Sequence, residues 1–91
     1  MIRYAEEIQK LLKKGLLPRE VFRLFHNAFR SLDLTKDLNL FDIKTLKVRK
    51  EAERTYYRIR KGQFRAIFFL EANDIYVIAM GKREEVYKKW Q

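Results

Sequence analysis

Ninety-one residues suffice for one domain with a modest core, and 47% hydrophobic content with thirteen aromatics is globular rather than disordered. The chain has no cysteine and one histidine, His26, so disulfides and thiolate metal sites are excluded and a His-based zinc site lacks ligands. Net charge is +9, with nine cations against six acids in residues 1–46 and twelve against six in 47–91; this excess suits a nucleic acid or an acidic protein partner, and equally a plain basic surface.

Residues 5–14 place Ala5, Ile8, Leu11 and Leu12 on one helical face, and Gly15 is a natural stop. Pro18 suits the first position of a second helix, with Glu20 in its first turn. Val21, Phe22, Phe25, Ala28, Phe29 and Leu32 then form a wide apolar stripe, which needs a large surface to pack on. Gly-Leu-Leu-Pro between the two segments makes them a helical hairpin. His26 lies beside the stripe and reads as structural. Residues 33–46 keep no single period and read as a buried-leaning connector. Lys47 to Arg54 is densely charged and reads as a solvent-exposed loop.

Three strands follow. Tyr56 to Arg60 alternates, Lys61-Gly62 offers a tight turn, and Gln63 to Glu71 is rich in Phe and Ile. Asn73-Asp74 marks a second turn before a strand over Ile75 to Met80. Arg83 to Gln91 reads as a short helix, with Val86 and Trp90 on one face. The expected fold is α+β: an N-terminal helical hairpin packed on a three- to four-stranded antiparallel sheet, with a short C-terminal helix, in a single domain over residues 1–91.

Register decides where the cations point. With Lys61-Gly62 as the loop, Arg60 faces Gln63, Arg58 faces Arg65 and Tyr56 faces Ile67. Alternation then puts Arg58, Arg60 and Arg65 on one face and Ile59 and Phe64 on the other. Arg58 opposite Arg65 is a like-charge pair that costs stability, and a bound anion would remove the cost. The second hairpin is expected to put Ile67, Phe69, Ile78 and Met80 on the arginine face, and Phe68, Leu70, Val77 and Ala79 under the helices. The C-terminal helix, through Val86 and Trp90, is the candidate cover for the arginine face.

The sequence holds no Ser-His-Asp, Cys-His, P-loop or dinucleotide-binding arrangement and no acidic cluster for magnesium. What remains is arginine with tyrosine. Guanidinium forks match phosphate oxygens, and several converging on one phosphate would stabilise the extra charge of a pentacoordinate transition state. A tyrosine among them would have its pKa lowered, and could accept a proton from a ribose 2′-hydroxyl or stack on a base. On these residues alone the same face could also bind phosphate without reacting. No apolar run reaches the roughly 18 residues of a membrane span, no signal-peptide pattern opens the chain, and a cytoplasmic protein is expected.

Residues 43–87, and above all YRIRKGQFRAIFFLEANDIYVIAMGKREEVY, resemble the RelE/ParE toxin superfamily; the helical half fits in pattern only. The resemblance implies the toxin of a type II toxin-antitoxin pair. Its RelE branch consists of ribosome-dependent mRNA endonucleases, whereas the ParE branch inhibits DNA gyrase without cleaving RNA. Arg58 and Arg60 match the branch's basic pair, Arg65 the arginine of the next strand, Arg83 the later arginine and Tyr87 the tyrosine. Every position is filled, which favours RelE. The implied catalytic residues are Arg65 on the scissile phosphate, Arg83 on the leaving side and Tyr87 at the attacking 2′-hydroxyl; Arg58, Arg60, Lys61 and Lys82 are the implied RNA-binding residues. Metal-free attack would yield a 2′,3′-cyclic phosphate and a 5′-hydroxyl, with no cofactor. Implied partners are a cognate antitoxin, mRNA and the ribosome, with neither membrane nor metal. A gyrase inhibitor or a non-catalytic RNA-binding module are the other readings. Members of the superfamily open with a strand of about five residues, for which Met1 to Tyr4 leaves little room.

Overall fold

The computed structural model describes residues 1–46 and 54–90, the side chains of Tyr87, Lys89 and Trp90 excepted. The charged loop expected over 47–54 therefore lies almost wholly outside the described residues. In chain order the elements are β1 (Ile2–Tyr4), α1 (Glu6–Lys13), α2 (Arg19–Thr35), β2 (Ile43–Leu46), β3 (Tyr56–Lys61), β4 (Phe64–Glu71), β5 (Asp74–Lys82) and α3 (Arg83–Trp90). The strands form one sheet in the order β1-β5-β4-β3-β2, with β1 parallel to β5 and the other pairs antiparallel. The α+β architecture is as expected, but the sheet has five strands rather than three or four. The two additions are its short edges.

The helical hairpin forms as its stripe requires. Gly15 ends α1 in a left-handed conformation, φ +70°, and the Leu16 N–H reaches back to the Leu11 carbonyl at 3.0 Å, satisfying a carbonyl that the helix end would leave open. Pro18 is the N-cap of α2. Ile8, Val21, Phe25, Ala28, Phe29 and Leu32 then pack against Ile59, Ala66, Phe68, Ile75, Val77 and Met80 of the sheet. Full burial of a side chain of this size contributes about 1.5–3 kcal/mol, so this layer is the principal source of stability. β1 is tied down by Tyr4, whose hydroxyl lies 2.8 Å from His26 Nδ1. Burial raises the Tyr4 pKa. His26 is thus structural, as its position beside the stripe implies.

Both hairpins turn one residue away from the expected place. The first turns at Gly62-Gln63, with Lys61 opposite Phe64, Arg60 opposite Arg65 and Arg58 opposite Ile67. Only Gly62 has a positive φ, +59°. That is a two-residue loop with glycine at its first central position, as in type II′. The second turns at Ala72-Asn73, where φ is 49° and 68°, the signature of type I′. Moving a turn by one residue moves the pairing by two, so faces are preserved. Arg58, Arg60 and Arg65 still share a face, but the opposed like-charge pair is Arg60–Arg65, not Arg58–Arg65.

A bulge on β5 overturns part of the second hairpin. Phe68 pairs with Val77 but Ile67 with Ala79, so Ile78 is the extra residue. Beyond it the faces exchange. Met80 enters the core beneath the helices, 3% exposed, and Ala79 joins the arginine face opposite Ile67. The sequence expectation had these two reversed.

Candidate active site

Rows of side chains cross the arginine face perpendicular to the strands. One row runs Asp42, Arg60, Arg65, Gly81; the next runs Lys44, Arg58, Ile67, Ala79. A third holds Tyr56, Phe69 and Tyr76, with Phe69 and Tyr76 stacked at 4.9 Å. Ile67 is fully buried on this face and Phe69 nearly so. α3 supplies cover over β4 and β5 through Val86, itself 4% exposed, as expected; the contribution expected of Trp90 lies outside the described residues. At Gly81 the helix comes so near that an added Cβ would lie 3.3 Å from Glu85 Oε2 and 3.6 Å from Val86 Cγ2.

Where α3 leaves β5, the first row opens into a groove of about 500 Å³ lined by Arg60, Gln63, Arg65, Lys82, Arg83 and Glu84. The β3–β4 turn builds one wall, and the Arg83 N–H donates to the Gln63 carbonyl at 3.1 Å, fastening the start of α3 to that turn. Four cations from four elements, Arg60 of β3, Arg65 of β4, Lys82 of β5 and Arg83 of α3, therefore line one cavity. Arg65 is the deepest of them, 6% exposed. Its Nη1 donates to the carbonyls of Gly62 and Phe64 at 2.9 and 3.0 Å, while its buried Nε has no hydrogen-bond partner among the described residues. A buried, charged donor left without an acceptor costs about 1–3 kcal/mol or more.

Of the seven residues singled out in the sequence, the groove gathers Arg60, Arg65, Lys82 and Arg83. Arg58 shares the face but not the groove. It is 7% exposed, with Nη2 3.5 Å from Asp42 Oδ1. Lys61 belongs to the opposite, helix-covered face, where its ammonium sits 4.6 Å above the Phe41 ring. Tyr87 lies on α3, and its side chain is outside the described residues. Gln63, Glu84 and Asp42 escaped the sequence reading. Gln63 would have emerged from placing the turn one residue later, and Glu84 from its position beside Arg83.

Electrostatically the site is a cation cluster with few internal counter-charges. Asp42 holds Arg58 and Arg60, and Glu84 contributes one carboxylate at the groove's edge. Guanidinium forks of this kind match the oxygens of an anion such as a phosphate. Among the described residues no group of three or more His, Cys, Asp or Glu could hold a metal.

Neither the family models nor the curated proteins contain a match to this chain. Solved structures do. The crystal structure of the RelB-RelE antitoxin-toxin complex from Methanococcus jannaschii contains a chain matching 98% of this one over 99% of its own length, with a TM-score of 0.70 at 23% identity. A chain in the archaeal RelE-RelB complex from Pyrococcus horikoshii OT3 matches 90% over 92% of its own length, with a TM-score of 0.67 at 21% identity. The fold is that of these RelE complexes, and at such identities the likeness speaks for the fold.

Proposed function

We propose that the protein is the toxin of a toxin-antitoxin pair and acts in the cytoplasm as a ribosome-dependent mRNA endonuclease. The observation that carries this reading is Arg65: nearly buried, its Nη1 clasped by two turn carbonyls, in the lining of a groove that Arg60, Lys82 and Arg83 share. A sheet face built only for stability has little use for a nearly buried guanidinium with no carboxylate beside it among the described residues and two neutral carbonyls as its acceptors. A phosphodiester oxygen is the acceptor that suits the fork.

In the proposed reaction the scissile phosphate sits over Arg65, whose guanidinium stabilises the charge that builds on the phosphoryl oxygens. The ribose 2′-oxygen attacks phosphorus as its proton passes to the Tyr87 phenolate, and the bond from phosphorus to the 5′-oxygen breaks. The leaving oxygen takes a proton from water, giving a 2′,3′-cyclic phosphate and a 5′-hydroxyl. Arg83, at the start of α3, stabilises the leaving side, and Tyr87 is assigned to the 2′-hydroxyl by resemblance. Arg60 and Lys82 hold neighbouring phosphates. Both solved neighbours are complexes with an antitoxin, which supports a cognate antitoxin as this chain's partner.

Primer extension on an mRNA incubated with the purified protein, with and without ribosomes, tests the reading. Cleavage only with ribosomes, abolished by Arg65→Ala, is expected. Inhibition of gyrase supercoiling without RNA cleavage would move the protein to the ParE-type activity.

A further inference from the structure

Asp42 lies one residue before β2, in the segment whose sequence shows no period. Its carbonyl accepts the Arg60 N–H at 3.0 Å, so it stands opposite Arg60 and begins the row that continues through Arg65 to Gly81. Its carboxylate divides between two arginines. Oδ1 is 3.5 Å from Arg58 Nη2, and Oδ2 is 3.4 Å from Arg60 Nε. The three side chains differ in exposure: 9% for Arg58, 42% for Asp42 and 54% for Arg60.

Two consequences follow from this geometry. Arg58 is a buried charge whose counter-ion among the described residues is Asp42, so the carboxylate cancels a cation that does not line the groove. Arg60, which does line it, has Nε 3.4 Å from the same carboxylate, an ion pair between half-exposed groups. Among the described residues its two terminal nitrogens have no hydrogen-bond partner, and the nearby negative charge offsets its repulsion with Arg65 across the strand pair. Charge behind the groove is neutralised while charge facing it is oriented.

We propose that Asp42 is a positioning residue of the groove. It fixes the Arg60 guanidinium from the Nε side and neutralises Arg58, so that substrate phosphate is drawn to Arg60, Arg65 and Arg83 rather than spread over the face. This inference rests on the reading of the groove as an RNA-cleaving site.

A double-mutant cycle tests it, with Asp42→Asn, Arg60→Ala, both together, and Asp42→Glu. Readouts are kcat and KM for mRNA cleavage on ribosomes, affinity for a short single-stranded RNA, and Tm. Asp42→Asn is expected to lower kcat by about tenfold while KM holds or falls, since a negative charge has gone. Asp42→Glu should recover most of the rate. In the Arg60→Ala background Asp42→Asn should add less than about a twofold loss, because its effect runs through Arg60. A purely structural role would lower Tm, leave kcat per folded molecule unchanged, and persist without Arg60. If the uncompensated Arg58 charge unfolds Asp42→Asn, Arg58→Met/Asp42→Asn measured against Arg58→Met alone carries the same expectation. A kcat within about twofold of wild type, or independent effects of the two substitutions, would overturn the inference. A wild-type protein that neither binds nor cuts RNA would overturn the groove reading and the inference with it. Where wild type binds RNA without cutting it, the affinity arm decides: coupled effects support the inference and independent effects overturn it.

Discussion

Arg65 keeps its charge almost out of solvent, with Nη1 held by two turn carbonyls and Nε aimed at nothing the described residues supply. Lysine cannot reproduce that arrangement, because a single ammonium cannot both clasp the turn and present a fork. Arg65→Lys and Arg65→Ala are therefore each expected to slow single-turnover cleavage by about 10²–10³-fold, with Lys retaining more RNA affinity than Ala. Two surface carboxylates bear on acid stability. Asp33 is held below its ordinary pKa of 3.8 chiefly by a hydrogen bond from Lys36, and Asp74 chiefly by one from the N-terminal ammonium and then by Arg3. Lowered folded values mean a contribution complete above about pH 4 and lost as pH falls through them. Melting curves should thus fall more steeply below pH 4 for wild type than for Asp74→Asn, and parallel curves would contradict the assignment. At this scale strand spacing brings out Arg60 and Arg65, and the resemblance adds Lys82 and Arg83. Neither finds that Arg58 is spent on Asp42 and Lys61 on Phe41, since both depend on neighbours distant in the chain.

Among the elements, the helical hairpin and the strands β3, β4 and β5 were legible because each carries a clean period and a turn signal. β2 was not: it has four residues at a sheet edge, and Ile43 and Leu46 leave too short a pattern to separate from Leu38 and Phe41 before it. β1, three residues long, takes its place by pairing with β5 and through the Tyr4–His26 contact. The bulge at Ile78 has no local sequence mark, so Ala79 and Met80 were assigned to each other's faces. The turns misled for a definable reason. Lys61-Gly62 and Asn73-Asp74 are good turn dipeptides, yet the chain uses Gly62 first and places Ala72 at φ 49°. Alanine pays for that left-handed conformation, whereas glycine would not. Ala72→Gly is expected to stabilise by about 0.5–1 kcal/mol in urea titrations, and a destabilisation would show that the Ala72 methyl makes compensating contacts.

At the scale of the molecule, the helices cover one face of the sheet and α3 only part of the other, and the groove lies where α3 departs. The +9 charge makes any RNA complex salt-sensitive. Four groove cations each engaging a phosphate of single-stranded RNA would give log K against log salt a slope of about −3, and Lys82→Ala should make it shallower by about 0.7. A slope near zero would mean that the charged groove takes no part in binding. The central claim is that the groove cuts RNA rather than only holding it, and primer extension on ribosome-engaged mRNA tests it most directly. The account predicts defined breaks with wild-type protein and ribosomes, none without ribosomes, and none with a folded Arg65→Ala. Equal cleavage by wild type and folded Arg65→Ala, or no cleavage by wild type under any condition, would contradict it.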